Sequence, residues 1–445
     1  MSPSPRPTPR PSPPNLSKKF SHTLHITTAE DDKSNHHWSP RQRLRWTMTL
    51  FLGSMIVYAV RVSMSISAPA IGKELGWNKQ TSGMALSAFF CGYVLTNVLG
   101  GSLSDRIGGQ IVICYTSFGW GALTLMLPYL ARTESALHTG TTCVLVVRFL
   151  TGVCQGVFYP SITAILTKHV PAAERASILG IVMSGTAAGT TFTGFLGSLI
   201  LEHSDWSNLF VLIGGVSLMW TCCLYSTTLQ NHSAPSTKFD PKSQEGVPWL
   251  KLCTKPAFWA LLVAYFLNNY CFYNLLSWAP LYFHDAFPES KGWVFNVVPW
   301  FVSFVFNIAS GYAADVMIDM GTSTTFVRKF FSGVMFLGTA AFSLLLNHVS
   351  TFQQALCVMT LNIAVQSFAS SCTIINASDL APKHAGALHG FMNCSGAMAG
   401  FIGVYLTGYI LETSGTWSSI FELTAGSALF AFFTFQFFGT GERIV

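Results

Sequence analysis

The sequence predicts an all-α polytopic membrane protein whose twelve transmembrane helices form two six-helix halves. Of its 445 residues, 50% are hydrophobic and only 10% are charged, against roughly 25% charged residues in soluble domains. Apolar stretches long enough to cross a bilayer recur almost from end to end. A polar stretch near residues 230–255 separates the first six of them from the last six. This composition excludes a large soluble enzyme.

The chain divides into a tail, two bundles and a linker. Residues 1–45 are rich in proline and serine and are expected to form a disordered tail. The six-helix bundles are predicted at 46–228 and 257–439, with a linker at 229–256 and a short C-terminus at 440–445. The predicted spans are 46–70, 81–101, 110–131, 140–165, 176–200, 208–228, 257–282, 293–314, 327–347, 351–376, 386–411 and 417–438.

The distribution of basic residues predicts the orientation in the membrane. Nineteen of the 25 lysines and arginines fall on the side of the tail, whereas four fall on the opposite side: Lys73, Lys79, Arg132 and Lys291. The positive-inside rule therefore places both termini in the cytosol. Membrane orientation therefore accounts for the net charge of +6. The charge does not indicate binding to nucleic acid, and no nucleic-acid partner is expected. The eleven cysteines show no metal-ligand spacing, so no metal site is expected.

A short charged motif repeats between the halves. Asp105 and Arg106 lie in the loop Gly-Ser-Leu-Ser-Asp-Arg-Ile-Gly-Gly at 101–109, and Asp315 ends a degenerate copy, Gly-Tyr-Ala-Ala-Asp, at 311–315. Charges at such helix ends can pair across helices and stabilise one state of a transporter with two related halves. We therefore interpret Asp105, Arg106 and Asp315 as conformational gating residues; a chance match of the second copy is the alternative.

Two arginines lie deep inside predicted spans. Arg148 opens the pattern Arg-x-x-x-Gly-x-x-x-Gly-x-x-x-Pro at 148–160, and Arg61 lies in the first span. Both lie about 12 to 14 Å from the same end of their spans, so they can share one level of a cavity. A charge at this depth usually faces a water-filled cavity and marks a substrate path. Pairing with backbone carbonyls, or snorkelling to the interface, is the alternative for each.

No acidic residue lies deep in a span to balance these charges, and Gln155 occupies the position about two turns after Arg148. Proton-coupled carriers usually hold a carboxylate or histidine in the membrane. The sequence therefore favours a carrier of multiply charged anions that is driven by the membrane potential. Tyr58, one turn before Arg61, and Gln155 join the two arginines as candidate substrate-binding residues.

The seventh span is unusually rich in aromatic and amide side chains. Its aromatic rings could stack on a nucleobase and its amides could bind the base edge. Helix packing and anchoring at the interface are the alternative for each residue. The candidates are Asn268, Asn269, Tyr270 and Tyr273. The sequence has no phosphate-binding Gly-x-x-x-x-Gly-Lys-Ser/Thr loop and no hydrolytic constellation, so a nucleotide would be cargo, and the protein is not expected to be an enzyme.

The 101–109 loop and the 148–160 pattern match motifs of the major facilitator superfamily. Together with Arg61, the stretch Phe-Phe-Cys-Gly-Tyr at 89–93 and Asp379-Leu-Ala-Pro, they resemble the organic anion transporters of solute carrier family 17 across all twelve spans. Within that family, the segments 76–79, 105–109, 287–288 and 291–300 resemble the vesicular nucleotide branch. The tail is not covered by the resemblance.

The resemblance implies a carrier that loads ATP, and also ADP and GTP, into secretory vesicles, or lysosomes, by alternating access. Its driving force is the lumen-positive potential of a vesicular proton pump; chloride is an activator and no cofactor is required. Family members that carry glutamate have His, Glu and Arg where this chain has Leu86, Gln155 and Asn268. A sodium- or proton-coupled carrier of phosphate, acidic sugars or amino acids is one alternative, and a non-transporting membrane sensor or scaffold is another.

Overall fold

Twelve long helices make up the structure, a computed structural model that describes residues 38–133, 139–230, 247–289 and 292–444. The first half comprises α1 (Pro40–Leu75), α2 (Lys79–Ile107), α3 (Gly109–Ala131), α4 (Thr139–His169), α5 (Ala172–His203) and α6 (Trp206–Gln230). The second half comprises α7 (Pro256–Ala286), α8 (Gly292–Asp319), α9 (Thr324–His348), α10 (Phe352–Leu380), α11 (Ala385–Ser414) and α12 (Ser418–Phe438).

The twelve helices follow the twelve predicted spans, and the all-α prediction is confirmed. Two boundaries differ. Helix α1 begins at Pro40 because Ser39 and Gln42 form a capping box, so residues 40–45 belong to the helix and not to the tail. The predicted linker contains a short helix, Trp249–Cys253. Residues 1–37 of the predicted tail and residues 231–246 of the linker lie outside the described part of the chain.

Ten of the described helices are long and apolar enough to cross a membrane. Helix α7 has 31 residues and is long enough, but it is not among the ten, because polar side chains such as Asn268, Asn269 and Asn274 lower its mean hydropathy. A helix of this kind is stable in a bilayer only when neighbouring helices cover its polar groups. The polarity of α7 therefore marks it as a helix of the bundle interior.

Contacts between helix ends define two faces of the molecule. On the tail face, where α1 begins, the Trp38 ring stacks on Trp46 and on His169 of α4, and Arg43 forms an ion pair with Glu174 of α5. On the far face, Arg132 after α3 bonds to Glu74 of α1 at 2.7 Å and to Asp205 before α6 at 2.6 Å. The first half is thus tied together at both ends.

The two halves meet on the far face. Gly83 of α2 and Gly408 of α11 approach so closely that a Cβ on Gly408 would lie 2.9 Å from the Gly83 Cα. Beside them, the Lys79 ammonium lies 2.5 Å from Asp285 of α7, and the Lys79 backbone N–H donates to Glu412 of α11. Asn296 of α8 donates to Ser198 of α5 at 2.9 Å.

Four glycines of these helices nearer the tail face have open space beside them. A Cβ added to Gly180 of α5, Gly311 of α8, or Gly386 and Gly390 of α11 would meet no atom within 4 Å. The contacts described between the halves thus lie at the far face, which is closed.

Candidate functional site

Arg61 lies inside a cage of aromatic rings. Its side chain is buried, with 5% exposure, in the middle of α1. The guanidinium carbon lies 4.9 Å from the ring centroid of Tyr58, 4.8 Å from Phe89 and 4.7 Å from Tyr93. Cation–π contacts of this kind hold a guanidinium without neutralising its charge. The cage therefore fixes a full positive charge inside the bundle.

Arg148 of α4 shares the Phe89 ring with Arg61. Its guanidinium carbon lies 5.0 Å from that centroid, and its side chain is 4% exposed. Helices α2 and α4 can bring the ring and Arg148 together because Gly92 and Gly152 lack side chains: a Cβ on Gly152 would lie 2.0 Å from the Phe89 carbonyl oxygen. The structure thus brings the two predicted arginines together at one level.

Gln155 connects the two helices that carry the arginines. It is fully buried, and its Oε1 accepts a hydrogen bond of 3.2 Å from Nε of Arg61. Several buried polar atoms around it have no hydrogen-bond partner: Arg61 Nη2, Arg148 Nε, Gln155 Nε2 and Tyr159 Oη. A buried donor without an acceptor costs about 1 to 3 kcal/mol. In the described part of the chain no carboxylate contacts these groups, so the site lacks acceptors that an anion would supply.

The second half contributes part of α7. Tyr273 packs on Phe90 with centroids 4.5 Å apart, which places it next to the Arg61 cage. The Asn269 amide donates to the Tyr265 carbonyl oxygen at 2.8 Å, and Asn268 is buried in the same helix. Helix α7 therefore presents Tyr265, Asn269 and Tyr273 from the side opposite the arginines.

Tyr270 lies in a buried cluster of the second half. Its ring packs on Gly403 of α11, where a Cβ would lie 2.4 Å from Tyr270 Cδ2, and it shares the cluster with Cys271 and Ala399. Tyr270 therefore packs between α7 and α11 in this structure, and its role in substrate binding stays a prediction.

Sequence reasoning missed several residues that line the site: Phe89, Tyr93, Tyr159 and Asn393. A signal was present for three of them. Phe89 and Tyr93 are four residues apart on α2, and Tyr159 lies four residues after Gln155, so each pair shares a helix face. Asn393 of α11 had no such signal, because only the fold brings it to Tyr265.

The predicted gating residues lie at the tail face. Arg106 and Asp315 are exposed and form no ion pair with the described residues, and the Asp105 side chain lies outside what the structure describes. An ion pair that was not predicted lies nearby in the second half. Arg328 of α9 is buried and bonds to Asp379 of α10 at 2.7 Å and to the Ser371 carbonyl oxygen at 2.9 Å.

Comparison with known proteins agrees with this architecture. The Major Facilitator Superfamily matches residues 50–404. The chain is 38% identical over 420 residues to the voltage-gated purine nucleotide uniporter SLC17A9 of Homo sapiens, covering 93% of this chain and 96% of that protein. It is 31% identical over 429 residues to the probable anion transporter 4, chloroplastic, of Oryza sativa subsp. japonica, covering 92% of this chain and 71% of that protein.

The fold is also that of solved transporters. The inward-open structure of the xylose transporter XylE from E. coli superposes with a TM-score of 0.69 at 11% identity, covering 89% of this chain and 96% of that one. The likeness to solved structures shows the fold, and the sequence matches show the family. The chain belongs to the major facilitator superfamily and, within it, to solute carrier family 17, as a multi-pass membrane transporter and not an enzyme.

Proposed function

We propose that this transporter carries ATP, and also ADP and GTP, into secretory vesicles or lysosomes by alternating access, driven by a lumen-positive membrane potential and dependent on chloride. One observation carries the proposal: two permanently charged guanidiniums share a ring deep in the bundle, with unpartnered donors beside them and no contacting carboxylate among the described residues. A polyphosphate supplies both the negative charge and the acceptors that this site lacks.

The lack of a titratable partner favours electrical driving. Gln155 contacts Arg61 as a neutral amide, so the contact offers no proton to couple to transport. Moving one charge through 100 mV is worth about 2.3 kcal/mol, so about four negative charges gain on the order of 9 kcal/mol. The name of the Homo sapiens relative, a voltage-gated purine nucleotide uniporter, supports the same driving force and substrate class.

The direction of loading follows from the proposed orientation. With both termini in the cytosol, as the basic residues suggest, the open tail face admits substrate from the cytosol. A potential generated by a vesicular proton pump then favours release into the lumen after the halves rock and the far face opens. The glycine contact of Gly83 with Gly408 is the part of the far face that must separate.

The test is ATP uptake into proteoliposomes with an imposed inside-positive potential, with and without chloride. We expect potential-dependent uptake by the wild type and loss to background for Arg61→Ala and Arg148→Ala. Lys73→Ala is the matched control, because it removes an exposed positive charge from α1, remote from the cage. Uptake by Arg148→Ala at the wild-type rate would overturn the assignment, and uptake independent of potential would overturn the mechanism.

The same experiment separates the rival functions. The plant relatives include a sodium-dependent phosphate transport protein of Arabidopsis thaliana, 32% identical over 419 residues, so phosphate and sodium belong in the assay. A requirement for a sodium or pH gradient would indicate a coupled carrier of phosphate or another organic anion. Nucleotide binding without flux would indicate a sensor or scaffold.

A further inference from the structure

A hydrogen bond near the tail face joins two helices of the second half, α7 and α11. The hydroxyl of Tyr265 in α7 donates to Oδ1 of Asn393 in α11 at 2.7 Å. Two further contacts hold the tyrosine in place. The Asn269 amide donates to the Tyr265 carbonyl oxygen, and the ring lies so close to Gly396 that a Cβ there would be 2.9 Å from Tyr265 Cε1. The aromatic ring is therefore fixed before any ligand binds.

The position of this pair along the cavity differs from that of the arginines. Tyr273, which packs on Phe90 beside the Arg61 cage, lies eight residues after Tyr265 on the same helix. At 1.5 Å per residue the two tyrosines are about 12 Å apart along α7, with Tyr265 on the side of the tail face. A ligand that contacts both levels must be elongated, with its anionic end deep and its other end toward the open face.

The chemistry around Tyr265 and Asn393, at the level nearer the tail face, suits an uncharged, planar, polar group. Asn393 is partly accessible, and its Nδ2 has no hydrogen-bond partner among the described residues, so it can donate to a ring nitrogen or carbonyl oxygen. The Tyr265 ring is buried, with 6% exposure, so Tyr265 contributes by holding the Asn393 amide in position through its hydroxyl. Neither residue contacts a charged side chain in the described part of the chain. The level is therefore unsuited to phosphate and suited to a nucleobase.

We infer that Tyr265 and Asn393 form the nucleobase subsite, with the substrate oriented so that its phosphates reach Arg61 and Arg148 and its base stays nearer the tail face. This inference rests on the proposed function and adds the base-recognising residues and the orientation of the nucleotide in the cavity. The triphosphate and ribose span the distance between the two levels.

Competition by two probes tests the inference. Labelled ATP uptake is inhibited with unlabelled ATP, which has a base, or with inorganic tripolyphosphate, which lacks one. For Tyr265→Phe and Asn393→Ala we expect ATP to inhibit about three- to tenfold more weakly, as for the loss of one hydrogen bond, while inhibition by tripolyphosphate is unchanged. The ratio of ATP uptake to CTP uptake, a second readout, should move toward one.

The control is Thr407→Val. Thr407 of α11 donates to Oδ1 of Asn274 in α7 at 3.1 Å, so it makes the same kind of bond between the same helices, but both of its residues are buried, whereas Asn393 is partly accessible. We expect this variant to leave the ATP to tripolyphosphate ratio and the ATP to CTP ratio at their wild-type values.

The outcomes are distinct. An equal loss of inhibition by both probes would assign the pair a structural role and overturn the inference, as would unchanged ratios in both variants. Equal inhibition of the wild type by ATP and tripolyphosphate would also overturn it while leaving nucleotide transport intact. Absence of ATP uptake by the wild type would overturn the proposed function itself, and the subsite with it.

Discussion

Arg61 and Gln155 are bonded through Nε and Oε1 at 3.2 Å, a contact between a permanent cation and a neutral amide inside the bundle. The amide orients the guanidinium but leaves its charge uncompensated, and Nη2 of Arg61 still lacks a partner. Gln155 itself has a free Nε2. The contact therefore couples α1 to α4 while keeping the donors of both side chains available to an anion.

Replacing Gln155 with glutamate should convert this contact into an ion pair. The new carboxylate would neutralise Arg61 and repel a polyanion, so we expect ATP uptake at neutral pH to fall at least about tenfold. Protonation of the new carboxylate would remove its charge, so uptake should recover in acidic medium. Gln155→Met is the control, since it keeps the volume but adds no charge. A pH-independent loss in Gln155→Glu would contradict this account.

Gly408→Ala should weaken closure of the far face. The added Cβ would meet the Lys79 carbonyl oxygen at 2.8 Å and the Gly83 Cα at 2.9 Å, and backbone atoms cannot move aside as a side-chain end can. We expect reduced cross-linking between cysteines introduced at Gln80 and Tyr405, whose side chains meet at 3.4 Å across the halves, and slower transport. Gly426→Ala is the matched control, because its Cβ meets nothing within 4 Å. Equal cross-linking in the two variants would argue against a tight glycine contact.

Asp379→Asn should destabilise the second half. Arg328 is buried, with 8% side-chain exposure, and would lose its only ionic partner among the described residues. Breaking a buried pair in this way costs about 3 to 5 kcal/mol, so the Tm of the purified protein should fall by several degrees. The double variant Arg328→Met, Asp379→Leu should be more stable than the single one, because no unpaired charge remains buried. The reverse order of stabilities would refute this interpretation.

The far-face cluster around Arg132 predicts a pH effect on stability. Partial burial acts to raise the pKa of Asp205, but hydrogen bonds from Ser207 and Arg132 outweigh it and lower the pKa below its ordinary value. A carboxyl with a lowered pKa stabilises the fold above its unfolded pKa, near 4, and this contribution is lost as the pH falls through the folded pKa.

Thermal unfolding of wild type and Asp205→Asn at several pH values measures the effect. We expect a modest difference in Tm at pH 7, since the pair is partly exposed, and convergence of the two curves below about pH 4. A constant difference across this range would mean that the carboxylate charge is not what Asp205 contributes.

The helices were predictable because apolar runs of bilayer length are a strong local signal. The two arginines were predictable as site residues because a charge within such a run is conspicuous. The shared helix face of Phe89 and Tyr93 was visible in the sequence, but the place of the Phe89 ring between the two arginines was not, because it depends on the Gly152 contact that sets the α2 to α4 distance. The orientation of α7 was not predictable for a related reason. Composition alone identified α7 as polar but not which of its sides faces the cavity.

The polarity of α7 also bears on how the chain enters the membrane during synthesis. A segment carrying Asn268, Asn269 and Asn274 partitions into lipid less readily than the ten strongly apolar helices. Its integration should depend on helices that are already present, above all α1, whose Val62 and Ile66 pack on Leu276 of α7. The residues proposed to hold the substrate therefore make membrane insertion at the start of the second half sensitive to mutations in the first half.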